Sequence, residues 1–252
     1  MRRSLFSLLL GVLLLAALAL PSLAQVPAAD GIPVGIKLPS LKQPQETAAS
    51  LQMVGILTVL AVAPAILMML TSFTRIVIVL GLTRYAMGTQ QLPPNQVLMG
   101  LALCLTFFTM QPVLAEMNTQ ALQPYLAKRL SPEKAVDAAM PPLRRFMLKQ
   151  TREADLALFV EMSRIPRPRT VRDVPTYVVV PAFVISELKT GFTMGFVIML
   201  PFLVIDLVVS LILMSMGMMM VPPMQIALPF KILLFVLIDG WNLLARALAL
   251  SF

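Results

Sequence analysis

Apolar positions dominate the chain in long blocks, and the charged residues that separate the blocks predict the elements. Between Glu46 and Arg75 lie 28 uncharged residues, and between Arg84 and Glu116 lie 31. Lys189 and Lys231 bracket 41 residues with one charge, Asp206. A membrane-crossing helix needs about 20 mostly apolar residues. The pattern therefore predicts spans near 50–72 and 95–115, then two more folded back on each other after Lys189, the last near 219–240. No apolar alternation of strand type stands out beyond the short run Tyr177–Val180 between prolines.

The segment between the two halves is polar and reads as helical. Ser131-Pro132-Glu133 is a start signal, with an N-cap hydroxyl, a proline at the first helical position and an acid in the first turn. Leu143, Phe146, Met147 and Gln150 follow helical spacing, as do Leu158, Phe159 and Met162. Pro141-Pro142 is expected to restart the chain, and the run from Ile165 to Arg169 to end the helical segment.

The first residues have the form of a secretory signal. Arg2 and Arg3 supply positive charge, Ser4 to Leu20 is apolar, Pro21 breaks the chain, and Ser22-Leu23-Ala24 places small residues at a cleavage site. The alternative is an uncleaved anchor. Cleavage puts the new N-terminus, Gln25, outside the cytoplasm. The expected organisation is a signal peptide at 1–24 and a mobile lead-in at 25–46, then a first hydrophobic helical pair at 47–115. A helical external domain at 116–184 and a second hydrophobic pair at 185–252 complete it. Arg75 and Arg84, with no acid between them, then mark a cytoplasmic-side turn, as the positive-inside rule expects. The 116–175 segment falls outside despite its basic residues, because the charge rule weakens for loops near ~60 residues.

Composition sharpens this. The chain is 252 residues long, 58% hydrophobic and 13% charged, whereas soluble domains are nearer a quarter charged. An all-α integral membrane protein follows. The net charge of +8 raises nucleic acid or anionic lipid as partners, but 11 of the 20 basic residues lie at 113–184 beside seven acidic ones. That is a solvated polar domain, and no nucleic-acid partner is expected. With no histidine and a single cysteine, Cys104, the chain lacks the usual general base, the commonest metal ligand and any internal disulfide. An enzyme is not expected. Cys104 reads as a buried small hydrophobe, and Phe107 and Phe108 as packing residues.

Four charges sit where apolar helices are expected: Arg75, Glu187, Asp206 and Lys231. An ionised group at mid-bilayer costs about 2.5–3.5 kcal/mol even on lenient scales. Pairing between helices or subunits, snorkelling of Arg75 and Lys231 to the interface, and an ion path all remain open. Glu187 with Lys231 is the first pair to test, with Asp206 the other candidate acid. Gln90, Gln91 and Asn95, around Pro93-Pro94, form a polar turn that is either a tight loop or a docking edge. Asp239-Gly240-Trp241 has the form of an interfacial anchor.

The run MSMGMMMVPPMQ, at 214–225, holds six methionines, one glycine and two prolines. Its open readings are lipid-facing or core residues at a helix turn, and soft thioether ligands for Cu(I). The other methionines are scattered, and no histidine or acidic cluster offers a capture site.

Four blocks carry a resemblance: SFTRIVIVLGLTRYAMGTQQLPPNQVLMGLALCLTFF at 72–108, LKQTREADLALF at 148–159, VPAFVISELKTGFTMGFVIMLPFLVIDLVVS at 180–210, and LMSMGMMMVPPMQIALPFKILLFVLIDGW at 213–241. Together they resemble the FliP/SctR-type export-gate family of type III secretion over about residues 50 to 246. The resemblance implies a pore subunit of the flagellar export gate in the bacterial inner membrane, with no cofactor and no bound metal. It implies a homo-oligomer of about five copies ringed with FliQ and FliR, working with FlhA and FlhB on unfolded flagellar export substrates. Family members pack into a cone raised largely to the periplasmic side, so some apolar segments would meet neighbours instead of membrane lipid. The polar turn of Gln90, Gln91 and Asn95 would then face arriving substrates. The resemblance also implies a gasket across the pore at Met218, Met219 and Met220, with Gly217, Pro222 and Pro223 shaping the loop. Methionine suits a seal because its unbranched side chain fills irregular gaps. A small-solute or metal transporter and a purely structural assembly platform are the alternative functions.

Overall fold

The computed structural model describes residues 44–252 apart from 90, 167, 219 and 220, with some side chains of the first helix omitted. The expected signal peptide, nearly all of the lead-in, and Gln90, Met219 and Met220 lie outside the described residues. The chain divides into two compact units, Met1–Leu57 and Thr58–Phe252, and apart from residues 44–57 the second carries everything that follows.

All regular structure among the described residues is helical. The elements are α1 (Pro44–Met69), α2 (Phe73–Ala86), α3 (Asn95–Met117), a π turn (Asn118–Leu122), α4 (Gln123–Leu126), α5 (Pro132–Gln150), α6 (Glu153–Met162), a 3-10 turn (Val171–Asp173), α7 (Thr176–Ser215), α8 (Pro223–Leu237) and α9 (Gly240–Leu250). Tyr177–Val180, the one strand-like run, is helical. Val178 and Val179 are buried there, and this packing outweighs the modest β preference of valine.

Two helices are long and apolar enough to cross a membrane, Asn95–Leu126 and Thr176–Ser215. A third candidate arises if α8 and α9, bent by 63°, form one broken span. The region expected to give the first span forms α1, whose shorter apolar stretch is Met53–Ile66. The four-span expectation thus meets two or three candidates. The difference lies in α1, whose apolar stretch is shorter than a span, while the expected turn between Arg75 and Arg84 is an internal helix, α2.

Helix α2 is the centre of the fold. Phe73, Ile76, Val79 and Leu80 are all buried, and they pack with Leu98 and Ala102 of α3, Phe202 of α7 and Phe235 of α8. Two glycines of α7 let it approach α2 closely. A Cβ at Gly195 would lie 2.3 Å from Leu82 Cδ1 and 2.9 Å from Leu82 Cβ, and one at Gly191 would lie 3.3 Å from Ile78 Cβ. A second core joins the polar segment to the N-terminal part of α7, where Leu143, Phe146 and Met147 of α5 meet Ala182 and Phe183.

The start of α5 forms as expected: Ser131 Oγ accepts from the Lys134 N–H at 3.4 Å. Pro141-Pro142 does not restart the chain, since both lie inside an unbroken α5. The carbonyls these prolines leave unbonded belong to Asp137 and Ala138, which are not buried, and the packed face just beyond holds the helix together. In α6 the expected face is displaced. Leu158 and Met162 are 49% and 66% exposed, and Asp155 and Leu156 are the buried pair.

Helix α7 has 40 residues, about 60 Å at 1.5 Å per residue, twice the ~30 Å of a hydrocarbon core. Its N-terminal part packs on α2, α5 and α6. Its later part bares Phe196, Val197, Leu200, Leu203, Val204 and Leu207, each at least 43% exposed.

Candidate gate turn and buried ion pairs

The methionine run lies on the turn between α7 and α8. Helix α7 stops in a Schellman arrangement: the Gly217 N–H donates to Met214 O and the Met218 N–H to Leu213 O, both at 3.0 Å. Gly217 takes φ +77°, a left-handed conformation open to glycine at little cost. Pro222 then sits at the N-cap of α8 and Pro223 at its first position, where a missing N–H costs nothing. The sequence thus ends one apolar helix and starts the next within a few residues. Met214, Met216, Met218 and Met224 are 55%, 66%, 41% and 61% exposed around this turn.

The four charges form two ion pairs, and neither is the Glu187–Lys231 pair expected first. Arg75 Nε donates to Glu187 Oε2 at 2.9 Å, and Arg75 Nη2 donates to Glu187 Oε1, a two-pronged contact. Arg75 Nη1 donates to Ser251 O at 2.6 Å and Ser251 Oγ at 3.1 Å, and Nη2 also reaches Gln150 Oε1 at 3.2 Å. Every N–H of the guanidinium has an acceptor, and the ring of Phe252 lies 4.0 Å from Arg75 Cζ. Arg75 is 2% exposed and Glu187 fully buried, so Arg75 does not snorkel. Lys149 Nζ and Gln150 Nε2 fix the last residue by donating to Phe252 O at 2.7 and 3.0 Å.

Lys231, 5% exposed, donates to Asp206 Oδ2 at 2.6 Å and to Ala86 O, at the end of α2, at 3.1 Å. Helix geometry explains the choice of acid. Asp206 stands nine residues before the end of α7 and Lys231 eight after the start of α8, so an antiparallel return brings them level. Glu187 lies 19 residues, about 28 Å, further back along α7. Asp206 Oδ1 is buried without a hydrogen-bond partner.

The polar turn is largely satisfied by its own residues. Arg84 Nη1 donates to Asn95 Oδ1 at 2.5 Å and to Pro93 O at 3.3 Å, and Thr89 Oγ1 donates to Leu92 O at 2.6 Å. Gln91 is exposed beside Leu92. Phe108 and Cys104, expected to be packed inside, lie on the exposed face of α3, Phe108 at 69%. The narrow buried stripe of that helix, Leu98, Ala102, Thr106 and Met110, leaves them on its other sides. Trp241 is 43% exposed, its ring edge-on to Phe235 at 5.2 Å between centroids.

Three contacts of Arg75 escape sequence reasoning: Ser251, Phe252 and Gln150. Their separations from Arg75, up to 177 positions, leave no local signal.

With this geometry in place, residues 56–248 match the model of the FliP family. The chain belongs to the FliP family. It is 51% identical over 217 residues to the flagellar biosynthetic protein FliP of Bacillus subtilis strain 168, covering 86% of this chain and 98% of that protein. It is 54% identical over 208 residues to the flagellar biosynthetic protein FliP of Pectobacterium carotovorum, covering 82% of this chain and 81% of the relative. With the Caulobacter vibrioides protein of the same name it shares 54% over 201 residues, 80% of this chain and 76% of the relative. Membership in the FliP family makes the chain a flagellar export component, and its exposed apolar helices fit a membrane protein.

Proposed function

We propose that this chain is the core pore-forming subunit of the flagellar type III protein export gate, passing unfolded flagellar proteins across the bacterial inner membrane. About five copies close a ring-like cone, largely on the periplasmic side at the flagellar basal body, with FliQ and FliR in the assembly and FlhA and FlhB beside it. The observation that carries this reading is the gate turn. Gly217 and Pro222-Pro223 break the backbone between two apolar helices, and exposed methionines surround the break.

In a symmetric ring each such turn meets its copies around the axis, and flexible thioether side chains close the gap without one rigid fit. Water leaves a narrow apolar constriction, which stops ions while the gate is closed. Met218, Met219 and Met220 form the gasket in this reading, Gly217, Pro222 and Pro223 shape its loop, and Gln90, Gln91 and Asn95 edge the entrance. The buried ion pairs act as braces, since Arg75 has no donor left for a moving ion or proton.

A transporter would centre on Asp206, whose Oδ1 lacks a partner. Lys231 already neutralises that carboxylate, which favours the gate. Deleting Met218–Met220 should leave the oligomer intact on native gels while membrane vesicles carrying it leak small ions. An unchanged ion barrier would sink the gasket.

A further inference from the structure

The polar segment between the apolar halves bares two apolar surfaces of opposite shape. The first is a groove of about 490 Å³ between the end of α3, the π turn, α4 and the first half of α5. Leu114, Leu122, Tyr125 and Val136 line it and are exposed, with buried Ala121 at its base. On α5 its lining residues, Pro132, Ala135, Val136 and Ala139, follow helical spacing, so one face of that helix is given to the groove. The second surface is the outward face of α6, where Ala154, Leu158 and Met162 recur every four residues and are all exposed. Among the described residues, the large hydrophobic side chains exposed between Asn118 and Pro175 belong to one of these two surfaces, apart from Val171 and from Leu126 beside the groove.

Charge distinguishes the two. Lys128 and Arg129 lie in the turn between Tyr125 and Pro132, both lining residues, so the bases stand at one end of the groove. Glu153 and Glu161 flank the α6 face, eight residues and about 12 Å apart. All four are exposed, and none is in an ion pair with another described residue. Lipid is a poor occupant of the groove, because α5 carries six charged residues among its 19. The two surfaces share no residue. A concave apolar surface with a basic end and a convex apolar stripe with acidic flanks are therefore the two sides of a head-to-tail contact, which closes a ring when it repeats at a fixed rotation.

We propose that the α6 face of one copy of this chain seats in the α3–α5 groove of the next, with Leu158 and Met162 entering the groove and Glu161 meeting Lys128 and Arg129. This contact names the surface by which copies join in the gate, and it rests on that reading.

The test uses the full-length chain in its native membrane, with the other gate subunits co-expressed and Cys104→Ser as background. Val136→Cys and Leu158→Cys are placed in two differently tagged copies, expressed together and treated with a short bismaleimide. The expected product is a mixed dimer carrying both tags, with severalfold less dimer from either variant expressed alone. With both substitutions in one copy, the product becomes a ladder that ends at the size of the ring. Charge exchange reads the same contact independently. Arg129→Glu and Glu161→Arg should each lower the yield of rings on native gels severalfold, and the two together should restore it. Dimer formed equally by either cysteine variant alone, cross-linking only to another protein, or no recovery on charge exchange overturns the proposal. Native mass spectrometry of the unsubstituted chain separates the two readings: rings without the mixed dimer sink this contact alone, and a monomer sinks the ring as well.

Discussion

Arg75 is the residue on which the interior depends most. Its five donors are all used, it pairs with a fully buried carboxylate, and it ties α2 to α5, α7 and the end of the chain. Glu187→Gln keeps the shape and removes the charge, leaving an uncompensated guanidinium in the interior. Breaking one side of such a pair costs about 3–5 kcal/mol, whereas replacing both sides with apolar residues is often close to neutral. The expected outcome is a marked drop in Tm, with poor recovery of the oligomer in detergent. The double variant Arg75→Met with Glu187→Leu should recover much of the loss, less the unpaired Ser251 and Gln150. Thermal shift measurements on the three proteins check this, and equal destabilisation in the single and double variants would deny the pair its role. The importance of both charges was legible in the sequence, because ions in apolar helices need partners. The identity of the partners was not, since Glu187 lies 112 positions from Arg75 and no local periodicity reports a contact that distant.

At the scale of elements, the close contact of α2 with α7 depends on glycine at two successive turns of α7. Gly195 has the least room, with Leu82 Cβ inside ordinary contact distance of any added Cβ. Gly195→Val should force the helices apart or Leu82 off its rotamer, at about 1–3 kcal/mol. Gly191→Ala, against Ile78 at 3.3 Å, should cost less. Chemical denaturation in detergent ranks the two, and the reverse order would mean that α7 shifts freely along α2. Local signals predicted these helices unevenly. The Ser131 cap and the glycine–proline break after α7 act on neighbouring backbone groups, so they could be read directly. Pro141-Pro142 misled because the helix around it is held by Phe146 and Met147 packing on α7, a tertiary effect. The internal helix α2 was equally hidden, since hydropathy does not distinguish burial in protein from burial in lipid.

For the molecule as a whole, the decisive quantity is the apolar surface left uncovered. Along α7 and α8, Phe192, Phe196, Leu207, Phe230, Leu233 and Val236 are each more than half exposed, far beyond what a soluble monomer presents. The bared part of α7, from Phe192 to Ser215, is about 36 Å long and somewhat exceeds a ~30 Å hydrocarbon core, while Val178, Val179, Ala182 and Phe183 before it are packed within the chain. In the proposed gate, identical copies cover part of this surface and close into a ring. Native mass spectrometry in mild detergent, with and without the small membrane partners, tests that. A ring of about five copies that takes up the partners is the expected result, and its symmetry would bring the gate turns together around one axis. A stable monomer or dimer carrying metal would mean that lipid covers these faces after all, and would return the methionines to the role of ligands on a transport path.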